Sequence, residues 1–280
     1  MLLSTFQRLY RAPAMAPLRP AARALFHSGG VQRLLRSRAL PLHWRHSLRA
    51  FRILTFEYGH LRSVSSGMPV DREGRPIPWY TYPAIEFIRQ LDFGDRVVFE
   101  YGAGNSTLFW AGIARRVVSV EDDPEWHVRM LSRVPRNVEL LLETDLRAFA
   151  EAVTRFDERF DVIVIDGAAR QRTRLRCAGA ALSRLKAGGV IILDNADWLP
   201  ESSRLLRDAG LLEVDMTGFA PINGYVSTTS FFFDRAFGVR PKADRHPAPG
   251  VGARPFNWEK GAMAEWLAAE RLATERAREA

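Results

Sequence analysis

Six oxygen-bearing side chains stand where apolar runs stop. Glu100, Glu121, Asp145, Asp166, Asp194 and Asn195 close or follow VVFE, VVSVE, VELLLETD, FDVIVID and VIILDN. A short unbroken run of Val, Ile, Leu and Phe reads as a parallel strand buried on both faces. Ligands of open parallel sheets bind outside the carboxyl ends of the strands, so these groups collect at the edge where chemistry would take place. There a carboxylate can accept hydrogen bonds from sugar hydroxyls, pair with an ammonium group, take a proton from a reacting hydroxyl, or ligate a hard divalent ion.

The elements that must position these groups are clearest between Arg96 and Glu121, RVVFEYGAGNSTLFWAGIARRVVSVE. Val97 to Phe99 make a buried strand. Gly102 and Gly104 turn the backbone and let a ligand approach closely, and Asn105, Ser106 or Thr107 is expected to cap the next helix. Val117 to Val120 make a second strand, and Glu121 stands nineteen residues after Gly102, where an acid suits the two hydroxyls of a ribose. Thr107 replaces the third glycine of the dinucleotide fingerprint, which argues against a pyrophosphate on the helix start. Glu100, two residues before the first glycine, suits a ligand with an ammonium group better than one with phosphates, because like charges in a partly desolvated cleft repel.

The stretch E-x-G-x-G resembles motif I of the class I S-adenosylmethionine-dependent methyltransferases. The resemblance spans roughly residues 83–234 and implies S-adenosylmethionine as cofactor. Glu100, Gly102, Gly104 and Ser106 would hold its methionine part, Glu121 its ribose, and Asp145 its adenine amino group. Asp145 equally fits a helix N-cap. Asp166 and Asp194 are the candidate catalytic groups beside the methyl. The set Asp166, Asp194 and Asn195 is similar to the metal ligands of the catechol and caffeoyl-CoA O-methyltransferases, which implies Mg²⁺ as a second cofactor. The lysine those enzymes carry after the first aspartate is replaced here by Ala168, Ala169 and Arg170, and arginine is a poor base. The other reading is that the acids orient the substrate without a metal.

Later segments complete the sheet. Strands are expected at 138–142, 160–166, 190–193, 211–217 and 228–234, with helices between them and the glycines of residues 187–189 ending the helix that begins near Arg172. The last two strands are joined by the loop FAPINGYVS, too short for a crossover helix, so they pair antiparallel. The expected fold is α/β, a Rossmann-like doubly wound sheet, mostly parallel with an antiparallel C-terminal hairpin strand. Candidate acceptor contacts are Tyr80 and Tyr82 in the aromatic strap before the first strand, Arg170 at the cleft mouth, and Asn223 and Tyr225 in the final loop. Arg172 and Arg174 share that mouth or are a solvated helix start. The alternative reading of the strap is core packing.

Charge is unevenly spread along the 280 residues. The chain has a net charge of +8, but residues 1–56 carry ten arginines and no acid, which leaves 30 basic against 32 acidic residues elsewhere. The arm reads as a mitochondrial transit peptide, as a surface that lies on an anionic membrane, or as an extension whose arginines reflect composition, since the chain has only three lysines. A single cysteine, Cys177, excludes an internal disulfide and points to a reducing compartment, the cytoplasm or, with a transit peptide, the mitochondrion. The expected organisation is a basic arm over 1–56, the methyltransferase domain over 57–239, a linker over 240–256 and a C-terminal helix over 257–280.

The function implied is methyl transfer to oxygen of a small molecule or glycan. A nicotinamide dehydrogenase conflicts with Thr107 and the hairpin, and an aminopropyltransferase would carry a richer glycine run. A nucleic-acid acceptor is disfavoured by the near-neutral core and by the lack of N-P-P-Y and proline-cysteine motifs. The alternative of another class is a cofactor-binding, catalytically silent module docked to a membrane or partner by the basic arm.

Overall fold

The computed structural model describes residues 41–167, 171–244 and 246–253; Arg170, the expected helix over 257–280 and most of the basic arm lie outside these. Seven strands form one sheet: β1 Val97–Tyr101, β2 Arg116–Glu121, β3 Val138–Leu142, β4 Phe160–Ile165, β5 Leu185–Leu193, β6 Leu212–Phe219 and β7 Val226–Phe233. Their order is β3-β2-β1-β4-β5-β7-β6. The first five are parallel, and β7 runs antiparallel to both β5 and β6. This is the Rossmann-like architecture expected, with the chain reversing direction across the sheet between β1 and β4.

Alternation along the central strands splits the core in two. In β4, Ile163 and Ile165 pack with Phe99, Tyr101, Phe149 and Cys177 on one face, while Val162 and Val164 pack with Ile85, Ile88, Trp110 and Phe231 on the other. The first face is covered by α6 (Leu146–Glu151), α7 (Gln171–Arg184) and α8 (Pro200–Asp208); the second is covered by α3 (Tyr82–Arg89) and α4 (Asn105–Ala111). Ahead of α3 lie α1 (Leu42–Arg52), a π-helical turn Ile53–Glu57, and α2 (His60–Ser66). Between β2 and β3 runs α5 (Pro124–Leu131), and Asp123 caps it by accepting from the Glu125 and Trp126 amides. No helix among the described residues is long and apolar enough to cross a membrane.

One local expectation is corrected. The glycines of residues 187–189 do not close a helix: α7 ends at Arg184, and β5 already begins at Leu185. Gly188, at φ +75°, lies in a register shift where β5 joins β4, so its left-handed backbone serves an irregular strand entry. Of the three residues expected to cap α4, Thr107 does so by accepting from the Gly104 backbone amide at 2.9 Å, while Asn105 Nδ2 donates to Pro69 O at 2.6 Å and ties the strap to the helix.

The strap is held to the hairpin. Thr81 donates twice there, its amide to Thr229 Oγ1 at 3.0 Å and its hydroxyl to Met216 O at 2.7 Å. The segment after β7 crosses the surface of α3: the Asp92 amide donates to Arg240 O, the Lys242 amide to Gln90 O, and the Val251 amide to Glu86 Oε1.

Candidate active site

At the end of β1 the turn is built on close backbone approach. Gly102 has φ +92°, and a Cβ there would sit 2.5 Å from Gly167 Cα. A Cβ on Gly167 would meet Gly102 Cα at the same distance. The tips of β1 and β4 therefore cross with no room for a side chain, and the Gly167 amide donates to Tyr101 O at 2.6 Å. Gly104 is different: a Cβ there would meet only Ser106 Oγ, at 4.0 Å, so the turn is open on that side.

Two carboxyl groups flank the turn. Glu121 accepts from the Ala103 amide at 2.8 Å through Oε2 and from the Asp122 and Asp123 amides at 3.1 and 3.0 Å through Oε1. Burial pushes it up to about 7, against the pull of these amides. Glu100 is fully buried. Its Oε2 accepts from Thr107 Oγ1 at 2.5 Å and Ser119 Oγ at 3.1 Å, while Oε1 has no partner. Burial raises Glu100 to about 8, although the Ser106, Thr107 and Ser119 hydroxyls oppose the shift. A buried acceptor without a donor is costly unless a ligand supplies one, so the residues present fit an ammonium group at Glu100 and hydroxyls at Glu121. Trp126, whose Nε1 donates to Ala103 O at 2.7 Å, stands beside the same turn.

Asp145 follows β3 and is exposed; its Oδ1 accepts from the Arg147 and Ala148 amides, the N-cap role for α6. Tyr80 and Tyr82 are interior, and their rings belong to the second core cluster. Burial and then the charges of Glu100, Asp166 and Asp194 hold the Tyr80 hydroxyl far above its ordinary range, so that hydroxyl lies within electrostatic reach of all three acids. Tyr82 contacts Tyr58 and His60 instead. Asn223 accepts from Trp79 Nε1 at 3.1 Å and links the strap to the hairpin tip, where Tyr225 is exposed. Ile222 beside it has φ +74°, a strained value for a β-branched residue.

The ends of β4 and β5 carry the other acids. Asp194 is buried; its Oδ1 accepts from Thr229 Oγ1 at 2.7 Å, and burial followed by the neighbouring Asp166 charge raises its proton affinity. Asp166 is also raised by burial, with the Arg174 charge opposing. Arg174 itself corrects the expectation of a solvated helix start. It is 7% exposed and turns into the sheet edge. Its guanidinium donates to Gly167 O at 3.3 Å, to Asp194 O at 2.8 Å, to Asn195 Oδ1 at 3.3 Å and to Asp166 O, and pairs with Asp166 Oδ1 at 3.5 Å. Asn195 has φ +54°, the left-handed region that asparagine tolerates.

The same geometry tests Mg²⁺. An octahedral site needs several oxygens turned to one common point with no fixed cation among them. Here Asp166 and Asn195 face a guanidinium and Asp194 faces a hydroxyl, so the set does not fit a divalent ion. Among the described residues no group of three His, Cys, Asp or Glu is arranged to hold one. Gly167 and Thr229 are the site residues that sequence reasoning did not single out, and Arg174 was placed at the cleft mouth without its inward turn. The G following FDVIVID was a visible signal for Gly167; Arg174 and Thr229 depend on which way a helix and a hairpin face.

Residues 99–196 match the family described as a methyltransferase domain. Over these residues the chain carries a methyltransferase domain. That span runs from within β1 to just past β5 and contains the glycine turn, Glu100, Glu121 and the Asp166–Asp194 pair. A methyltransferase domain is that of an enzyme. No curated protein matches the chain. Solved structures similar to this methyltransferase include three from bacteria. A precorrin-6y C5,15-methyltransferase from Geobacter metallireducens is 18% identical over 54% of this chain and 87% of its own, with a TM-score of 0.44. The N-methyltransferase NodS from Bradyrhizobium japonicum is 18% identical over 50% and 86%, with a TM-score of 0.40. An rRNA methylase from Streptococcus thermophilus is 18% identical over 54% and 96%, with a TM-score of 0.38.

Proposed function

We propose that this methyltransferase acts on a hydroxyl group of a small molecule or glycan, with Asp194 as the proton acceptor. The observation that carries the reading is the buried Asp194 carboxyl, whose proton affinity is raised by burial and by Asp166. A hydroxyl acceptor must lose its proton as the new bond to carbon forms, and a base is most effective when its pKa lies near the working pH. An amine acceptor that is already neutral makes no such demand.

Glu100 through Oε1 would hold the ammonium of S-adenosylmethionine, Glu121 its ribose hydroxyls, and the open flank of Gly104 would admit its chain, with Gly102 and Ser106 completing the turn. Bound there, the cofactor supplies an electrophilic methyl group. The chain's own residues then align the acceptor and remove its proton. Asp194 takes that proton, and Thr229 fixes the Asp194 rotamer by donating to Oδ1. Arg174 keeps the ends of β4 and β5 in register and supplies the positive charge that steadies Asp166 as an anion. The Tyr80 hydroxyl, close to the acids, stays protonated and is available to orient the acceptor oxygen. Trp79, Asn223 and Tyr225 wall the outer pocket, and Arg170 belongs to the same mouth by sequence.

Transfer of labelled methyl from S-adenosylmethionine to a panel of sugars and phenols, with amines and RNA as competing acceptors, tests the reading. Asp194→Asn should lower kcat by about 100-fold or more on a hydroxyl acceptor while leaving cofactor affinity unchanged. Transfer confined to amines or RNA, or an unchanged kcat in the variant, would contradict it.

A further inference from the structure

Helix α1 has no part in the core. Among its residues none is buried, and Leu42, Trp44 and Phe51 are 58%, 56% and 52% exposed. Its sequence, LHWRHSLRAFR, holds three arginines and two histidines with no acid. At the helical advance of about 100° per residue, Trp44, Leu48 and Phe51 fall in one sector of about 60°, and Arg45, Arg49 and Arg52 fill a neighbouring sector of similar width. Arg52 also pairs with Glu57 at 3.4 Å, which fixes that end of the helix to the π-helical turn. Residues 1–40 add seven arginines, no acid, and Leu2, Leu3, Phe6 and Tyr10.

Large apolar side chains left in water beside a cationic stripe are unfavourable for a purely soluble helix and favourable at a lipid headgroup boundary. Tryptophan sits well there, with its ring in the interface, while arginine stems lie along the apolar layer and their heads meet phosphate. Each basic side chain near an anionic leaflet adds attraction, and none of the first 56 residues supplies an opposing charge. A nucleic acid would satisfy the arginines through its phosphates but offers Trp44 and Phe51 no apolar phase. We propose that α1 is an interfacial anchor that lays this methyltransferase on an anionic bilayer surface.

Sedimentation of the full chain with vesicles of phosphatidylcholine, alone or with about one third phosphatidylglycerol, tests this. The protein should partition onto the anionic vesicles and not onto the neutral ones. Trp44→Ser should weaken that partition by about tenfold through loss of the interfacial ring, and R45Q/R49Q by a similar factor through loss of charge. Both variants should keep the wild-type affinity for S-adenosylhomocysteine, since α1 lies outside the cofactor residues; this also verifies their folding. Equal partition onto both vesicle types, no partition at all, unchanged partition of both folded variants, or preferential capture by RNA added in competition would overturn the proposal.

Discussion

Glu100 is pulled two ways. Burial favours its neutral form, whereas an ammonium group bound at Oε1, as proposed, would favour the anion. In the cofactor-free protein its pKa near 8 exceeds the unfolded value of about 4.3, so the folded state holds the proton more tightly. Its contribution to stability is therefore full below the unfolded pKa and is lost as pH rises through about 8. Asp161 behaves oppositely: burial would raise it, but the Val97 amide, Lys186 and Arg96 hold it low, so its contribution is present above the unfolded pKa and lost as pH falls through the folded one. Urea unfolding of the cofactor-free Glu100→Gln variant at several pH values should accordingly show a shallower decline in stability between pH about 5 and 8 than the wild type, with the remainder coming from Glu121 and Asp194. An identical decline in the variant would remove Glu100 as its source. Arg174 yields a second prediction at this scale. Because its guanidinium faces Asp166 and Asn195, methyl transfer should be unaffected by a chelator, and Arg174→Lys, which lacks the planar fork, should be destabilised by about 1–3 kcal/mol in urea melts. Inhibition by chelator that is reversed by Mg²⁺ would contradict it. The places of Glu100 and Glu121 in the fold were legible because a strand end and a glycine turn mark them in the chain. Arg174 was not, since three arginines in six residues give no sign of which one points inward.

Among the elements, the crossing of β1 and β4 is the least forgiving. A methyl at Gly167 would enter the Gly102 backbone at 2.5 Å, and neither partner is a flexible side chain. Gly167→Ala should cost roughly 2–4 kcal/mol of stability, read from denaturant midpoints at constant slope, and should weaken cofactor binding along with it. Gly104→Ala, in open space, should leave stability near wild type and affect only the ligand. Equal losses in the two variants would mean that the contact does not distinguish them. The strands themselves were readable from apolar runs and turn lengths, and the hairpin from a loop too short for a crossover. The entry to β5 was misread because an A-G-G triplet after a helix has the same composition as a C-cap, and only the pairing of Phe160 with Leu185 reveals the earlier strand start. The strap was ambiguous for a related reason: WYTY is equally suited to a pocket wall and to a core, and in the structure Tyr80, Thr81 and Tyr82 are buried while Trp79 is exposed.

For the whole molecule, segregation of charge matters more than its total. A near-neutral catalytic domain follows an arm with ten arginines, so salt should weaken vesicle binding without changing cofactor affinity. The acceptor was not legible, because pocket shape depends on how the strap and the hairpin tip meet, and sequence spacing does not carry that. The cofactor site, by contrast, rests on residues within one β-α-β unit. Its most direct test is calorimetric titration of S-adenosylhomocysteine into the wild type and into Glu121→Ala. The wild type should bind, and the variant should bind at least about tenfold more weakly, about 1.4 kcal/mol. Absence of binding by the folded wild type, or equal affinity in the variant, would contradict the assignment of this edge as the S-adenosylmethionine site.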